Sequence, residues 1–258
     1  VHASYTSNFR IYDQAMKTDS HKPRFFALIP CAGNGSRAGT SSPKQYQILA
    51  GHALVWHTVQ AFRSIGPRLT GLCLVVAKDD VGFATACPDF PKAHESLLPE
   101  GGATRAVSVL AGLRALLANS AAPSDWVLVH DAARCLVTPS QILALMDACQ
   151  DDPVGGLLAQ KLPDTLKAAS GDRVTATLDR GDKWLAQTPQ MFRMGPLEKA
   201  LLAAGDQVTD EASAMELSGL QPLLVPGSLQ NFKVTYPDDL VLAQLVLAHR
   251  QALDATGQ

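Results

Sequence analysis

From Phe25 onward, short apolar runs alternate with longer stretches in which apolar residues recur every three or four positions. Phe25–Ile29 is continuous and apolar and is stopped by Pro30, and Leu72–Ala77 and Trp126–His130 repeat the pattern. Uninterrupted runs of this length fit strands covered on both faces of a mostly parallel sheet. His94–Leu98, Leu223–Val225 and Phe232–Val234 are read as further short strands. Between them the 3.6-residue period predicts helices over Ala53–Phe62, along a face made by Val107, Leu110, Leu113 and Leu117, and over Pro196–Ala204. Pro139 opens a helix carrying Ile142, Leu145 and Met146, and Pro237 opens a last one through Leu240, Ala243 and Leu247. Residues 79–93 read as a connection. Strand and helix in alternation predict a layered α/β domain.

Residues 160–183 break this rhythm. Asp164–Lys167 and Val174–Leu178 alternate around the turn signal Ser170-Gly171-Asp172, which predicts a two-stranded ribbon. An isolated hairpin is marginal in water unless it packs on something, so a partner subunit is the economical expectation. The alternative is a hairpin folded back on its own domain. Residues 1–22 are polar and aperiodic and are read as a disordered or added extension, with Met16 taken as the natural start. A single domain over 23–258 is expected.

Composition narrows the class. With 47% hydrophobic and 18% charged residues the chain can bury a substantial core. A formal charge of −2 provides no broad basic field for nucleic acid or an anionic membrane, so any anion must be met locally. Five cysteines with no C-x-x-C pair favour free thiols in a reducing compartment. No apolar run approaches the length needed to cross a bilayer, and a cytoplasmic protein is expected.

The local anion site is legible at the end of the first run. Phe25–Pro30 leads into Cys31-Ala32-Gly33-Asn34-Gly35-Ser36-Arg37, and Lys44 follows seven residues later. Gly33 and Gly35 let backbone N–H groups approach an anion, Arg37 can fork onto phosphate oxygens, and Lys44 adds a compact charge. The combination reads as a polyphosphate cradle. Gly33-x-Gly35-x-x-Ala38 also matches a dinucleotide pattern, but Ala53–His57 holds no carboxylate where one is expected. A Walker loop needs Gly-Lys-Ser/Thr, and Gly39 is followed by Thr40. In open α/β sheets ligands bind beyond the carboxyl ends of strands, which is where the cradle, the Gly101-Gly102 turn and Asp131 fall.

Six ordered blocks make the reading more specific: Pro30-x-Ala32-Gly33-x-Gly35-x-Arg37, Pro43-Lys44-Gln45-Tyr46, Val129–Arg134, Ala186-Gln187-Thr188-Pro189-Gln190-x-Phe192, Thr209–Ala212 and Asn231–Thr235. By these blocks the chain resembles the 2-C-methyl-D-erythritol 4-phosphate cytidylyltransferases of the non-mevalonate isoprenoid pathway. The resemblance implies a Rossmann-like, mostly parallel sheet flanked by helices, with a protruding β-hairpin arm for dimerisation. It implies transfer of a cytidylyl group from CTP to methylerythritol phosphate with release of pyrophosphate. A cytidylyltransferase for ribitol 5-phosphate or another polyol phosphate is the nearest alternative.

The resemblance also assigns roles. Arg37, Lys44 and Lys233 would be catalytic, steadying charge on the phosphoryl groups. Ala32, Gly33, Gly35, Gly101, Gly102, Arg105, Ser108 and Asp131 would bind the nucleotide, and Asp131 would hold Mg²⁺ or another divalent metal. Arg134 and Thr209, with Thr165 and Arg180 from the neighbouring subunit's arm, would hold the second substrate, so the implied unit is a homodimer with composite sites. Ala103 replaces a usual polar residue and Cys135 a usual proline. His130 reads as a packed, hydrogen-bonded histidine rather than a base.

Overall fold

The computed structural model describes residues 23–33 and 43–256. The 1–22 extension, Gly35 and Arg37 therefore lie outside the described residues. Seven strands form the central sheet, in the order β11-β7-β10-β6-β1-β4-β5. They are β1 (Phe25–Pro30), β4 (Gly71–Ala77), β5 (Glu95–Gly101), β6 (Trp126–Val129), β7 (Gly155–Lys161), β10 (Trp184–Arg193) and β11 (Leu223–Pro226). Two small ribbons stand apart, β2 (Ile48–Leu49) with β3 (His52–Ala53), and β8 (Leu166–Ser170) with β9 (Arg173–Leu178). The α-helices are α1 (Leu54–Arg63), α2 (Phe83–Ala86), α3 (Arg105–Asn119), α4 (Pro139–Cys149), α5 (Met194–Ala204), α6 (Glu211–Leu217) and α7 (Pro237–Thr256).

The period of two along the strands sorts side chains into two layers. In β1, Ala27 and Ile29 face a core completed by Val55, Val59 and Phe62 of α1 and Ile142, Leu145 and Met146 of α4. Phe26 and Leu28 face the other core, with Val109 and Leu113 of α3 and Leu197 and Leu201 of α5. A third, smaller cluster seats α7 through Ala243 against Leu49, Leu54, Leu136 and Val234. α4 starts where its residue types require: Thr138 caps it in a reciprocal box with Gln141, and Pro139 occupies the first turn.

β1 pairs in parallel with β4 on one side and β6 on the other, so the chain changes direction across the sheet at its centre. That crevice is where an open sheet holds its ligand. β10 is antiparallel to both β6 and β7. The periodicity does not reveal β10, because Pro189 sits inside it and a proline argues against a central strand. The sheet tolerates it through an irregularity in register between Ala186 and Gln190. β7 is likewise hidden by Gly155 and Gly156, whose added Cβ atoms would lie 2.2 Å from the Met191 carbonyl oxygen and 2.3 Å from that of Leu223.

One expected strand is corrected. Phe232–Val234 pairs with no strand; Val234 N–H donates to the Ala133 carbonyl (2.9 Å), which lays the segment against the turn after β6. Residues 79–93 contain the one-turn α2. The predicted ribbon is present as β8 and β9. It shares no hydrogen-bonded neighbour with the central sheet, and every residue of β9 is exposed.

Asp125 ties three elements together at the amino ends of β1 and β6. Its fully buried carboxylate accepts the Arg24 N–H (2.9 Å), the Ala122 N–H (2.8 Å) and the Arg24 guanidinium (2.7 Å), while its carbonyl accepts the Met194 N–H at the start of α5 (2.9 Å). Asp125→Ala strands the Arg24 and Ala122 donors and is expected to lower unfolding free energy by about 2–3 kcal/mol. The urea midpoint at neutral pH measures this, and an unchanged midpoint rules the clamp out.

Candidate active site

The carboxyl ends of β1, β4, β5 and β6 open onto a cleft of about 560 Å³. Cys31, Ala32 and Gly33 extend β1 into it, Lys44 enters from a 3₁₀ turn (Lys44–Tyr46), and Lys233 also lines it. That turn is fixed through its second and third residues. Gln45, nearly buried, donates from Nε2 to the carbonyls of Cys31 and Gly33 (3.0 Å each), and Tyr46 Oη donates to Asp80 Oδ2 (2.6 Å). Lys44 is thereby tied to the very residues that begin the glycine-rich loop.

The wall opposite β1 must be bare. A Cβ on Gly101 would stand 2.2 Å from the Ala32 methyl and 2.7 Å from the Val76 carbonyl oxygen. Gly102 N–H donates to Ser108 Oγ (3.1 Å), and the same hydroxyl donates to the Thr104 carbonyl (3.1 Å), so Ser108 shapes the turn from beneath. Thr104 then caps α3 by accepting from the Val107 N–H.

From the interior to the cleft floor, four side chains of alternating charge follow one another. Glu211 accepts both terminal nitrogens of Arg105 (2.6 and 3.0 Å), Arg105 Nε donates to Asp131 Oδ1 (2.7 Å), and Lys233 Nζ lies 2.7 Å from Asp131 Oδ2. Arg134 Nε stands 4.0 Å from Asp131 Oδ2, while its terminal nitrogens donate to the carbonyls of Asn231 (2.7 Å) and Ala186 (3.2 Å). Burial would raise the Asp131 pKa, but Arg105 and Lys233 outweigh it and hold the carboxyl well below the usual carboxylate range. Asp131 is the one carboxylate among the described residues of the cleft. Among the described residues no group of three or more His, Cys, Asp or Glu could hold a metal by itself.

The family model for 2-C-methyl-D-erythritol 4-phosphate cytidylyltransferase, IspD, matches residues 25–249. The chain belongs to this family. It is a nucleotidyltransferase. A protein of that name from Cupriavidus pinatubonensis is 50% identical over 245 residues, covering 90% of this chain and 97% of its own. The bifunctional enzyme IspD/IspF of Albidiferax ferrireducens is 59% identical over 236 residues, and there the match spans 92% of this chain but 56% of the relative's length. Among solved structures, the Francisella tularensis 2-C-methyl-D-erythritol 4-phosphate cytidylyltransferase superposes with a TM-score of 0.73 at 33% identity, covering 86% of this chain and 99% of that one.

Within this cytidylyltransferase, the fold gathers most of the residues singled out from sequence. Ala32, Gly33, Lys44, Gly101, Gly102, Arg105, Ser108, Asp131 and Lys233 all line the cleft. Arg134 stands just behind Asp131. Thr165 and Arg180 are exposed at the base of the ribbon, where Arg180 Nη1 donates to the Pro163 carbonyl, and neither lines the cleft of its own chain. Thr209 is exposed ahead of α6 and its N–H donates to Ser213 Oγ (3.3 Å). The ordered blocks contain Gln45 and Glu211, but the sequence alone assigned neither a role. Glu211 falls within the Thr209–Ala212 block, but an acid in the first turn of a helix is a common feature and suggested no partner. Among the described residues no helix is long and apolar enough to cross a membrane.

His130 is no base. It is fully buried, Nδ1 meets Thr188 Oγ1 (3.0 Å), Nε2 meets the Arg134 carbonyl (3.2 Å), and the ring lies edge-on to Phe62. Burial pushes its pKa down to about 3, against the opposing pull of Asp131. Below the ordinary histidine pKa the unfolded chain then binds a proton that the folded chain refuses, so stability falls with pH. The His130 contribution lost between pH 7 and pH 5 is about 2 kcal/mol. Comparing urea midpoints of wild type and His130→Gln at both pH values checks this: the variant's pH slope should be shallower by that amount, and equal slopes refute it.

Proposed function

We propose that this chain transfers the cytidylyl group of CTP to 2-C-methyl-D-erythritol 4-phosphate, giving 4-diphosphocytidyl-2-C-methyl-D-erythritol and pyrophosphate. The observation that carries this reading is one cleft that joins a side-chain-free wall, Gly101 and Gly102, to Lys44, Lys233 and a single ionised carboxylate, Asp131. A phosphate oxygen of the acceptor bonds to the α-phosphorus, the bond from that phosphorus to the bridging oxygen breaks, and the electron pair leaves with pyrophosphate. The nucleophile is already an anion at neutral pH, so the reaction needs no general base. Its barrier is repulsion between anions, lowered by placement and by fixed positive charge.

Lys44 would steady charge on the leaving pyrophosphate together with Arg37 of the glycine-rich loop, and Lys233 would serve the α-phosphoryl group. Gly33, Gly35 and Ala32 would leave room for the polyphosphate, and Gly101, Gly102 and Ser108 would frame the base. Asp131 suits Mg²⁺, which binds through one or two carboxylates and takes its other ligands from phosphate and water. When bound, the ion neutralises polyphosphate oxygens. Arg134 and Thr209 would face the second substrate. The exposed ribbon, with Thr165 and Arg180 at its base, would complete that subsite in a second copy of the chain, making a homodimer.

The direct test supplies CTP, Mg²⁺ and either methylerythritol phosphate or ribitol 5-phosphate and compares kcat/KM from pyrophosphate release. Preference for ribitol 5-phosphate rejects the assignment. Lys44→Ala is expected to lower kcat about 10²-fold or more with the fold intact, and wild-type turnover in this variant removes Lys44 from catalysis. Composite sites are tested by co-expressing Lys44→Ala with Arg180→Ala, each inactive alone. Random pairing in a dimer of shared sites restores about a quarter of wild-type sites, whereas sites built within one chain stay dead.

A further inference from the structure

Glu211 is fully buried and does not line the cleft, yet both of its oxygens are committed to the far end of an arginine that does. We propose that Glu211 is a positioning residue for the transfer reaction, fixing the carboxylate of Asp131 through Arg105. The inference rests on reading the cleft as the site of cytidylyl transfer.

A guanidinium offers its nitrogens in a rigid plane. With Nη1 and Nη2 held by Glu211, the remaining Nε has one direction, and Asp131 Oδ1 lies along it at 2.7 Å. Released from Glu211, the same side chain is free to turn into the cleft and bind phosphate, leaving Asp131 to Lys233 alone. Glu211 also offsets the charge of Arg105, so that Asp131 still presents negative charge to the cleft.

Glu211 is itself held in place. Asp210 caps α6 by accepting from Ser213 N–H (2.9 Å), and Gln190 of β10 holds both of Glu211's neighbours, donating to the Asp210 carboxylate at Oδ2 (2.8 Å) and accepting from Ala212 N–H (2.8 Å). The alignment therefore runs from β10 through α6 and α3 to the end of β6. Buried ion pairs of this kind are often matched in stability by apolar residues of similar volume. A buried carboxylate aimed at a cleft-lining arginine is thus explained better by alignment than by stability.

The test uses Glu211→Gln, which keeps the shape and removes the charge. We expect kcat to fall about 10- to 100-fold while KM for CTP changes less than about threefold. The same substitution in an Asp131→Asn background should add less than about a twofold further loss, because the effect passes through Asp131. A merely structural role lowers both backgrounds by an equal factor and overturns the proposal, as does wild-type kcat in Glu211→Gln. Should Glu211→Gln not fold, Arg105→Met/Glu211→Met removes both buried charges together; it is expected to fold and to show the kcat loss with the same masking by Asp131→Asn. Wild-type protein that releases no pyrophosphate from CTP and methylerythritol phosphate refutes the functional reading itself, and this inference with it.

Discussion

Charge is costly to bury, and the cleft floor is built around that cost. Asp131 sits at the end of a central strand with little access to water, and it stays ionised because Arg105 reaches it from one side and Lys233 from the other. Arg105 in turn sits against Glu211, which has no exposure at all. Each charge is tolerable only because its neighbour is present, which is the condition under which buried ions survive. The residues come from α3, β6, α6 and the segment before α7, so the elements that close the sheet are held in register at the point where a ligand would sit.

The backbone prepares the same place by different means. β1 flanked in parallel by β4 and β6 leaves a crevice at the carboxyl ends, and the turns after β1, β5 and β6 all empty into it. On one side the chain removes bulk, since nothing larger than hydrogen fits at Gly101. On the other it anchors a cation, through the two carbonyl contacts of Gln45 and the Tyr46–Asp80 bond. Space and charge thus arise from separate parts of the sequence.

How much of this could be read beforehand follows from what kind of signal each part leaves. β1, β4 and β6 are apolar runs and α1, α3, α4 and α7 are amphipathic, so burial wrote them into the pattern. β10 and β7 carry a proline and two glycines that argue locally against strand, and only their neighbours in the sheet make them strands. Phe232–Val234 has the apolar character of a strand because it packs on a side cluster, not because it pairs. The cleft residues were legible through ordered motifs. Glu211 and Gln45 lie within those motifs, but their roles were not legible, because their work lies in partners remote in sequence, 106 positions away for Glu211 and 14 for Gln45 to Cys31.

The five cysteines, all free and buried, have a use of their own. Cys31, Cys87 and Cys149 lie in the core on one sheet face, Cys73 in the core on the other, and Cys135 in the side cluster beneath α7. Burial also raises the pKa of each thiol, so little reactive thiolate exists while the layers remain closed. Each compartment of the interior therefore carries its own silent chemical reporter, and the order in which an alkylating reagent marks them records which layer opens first.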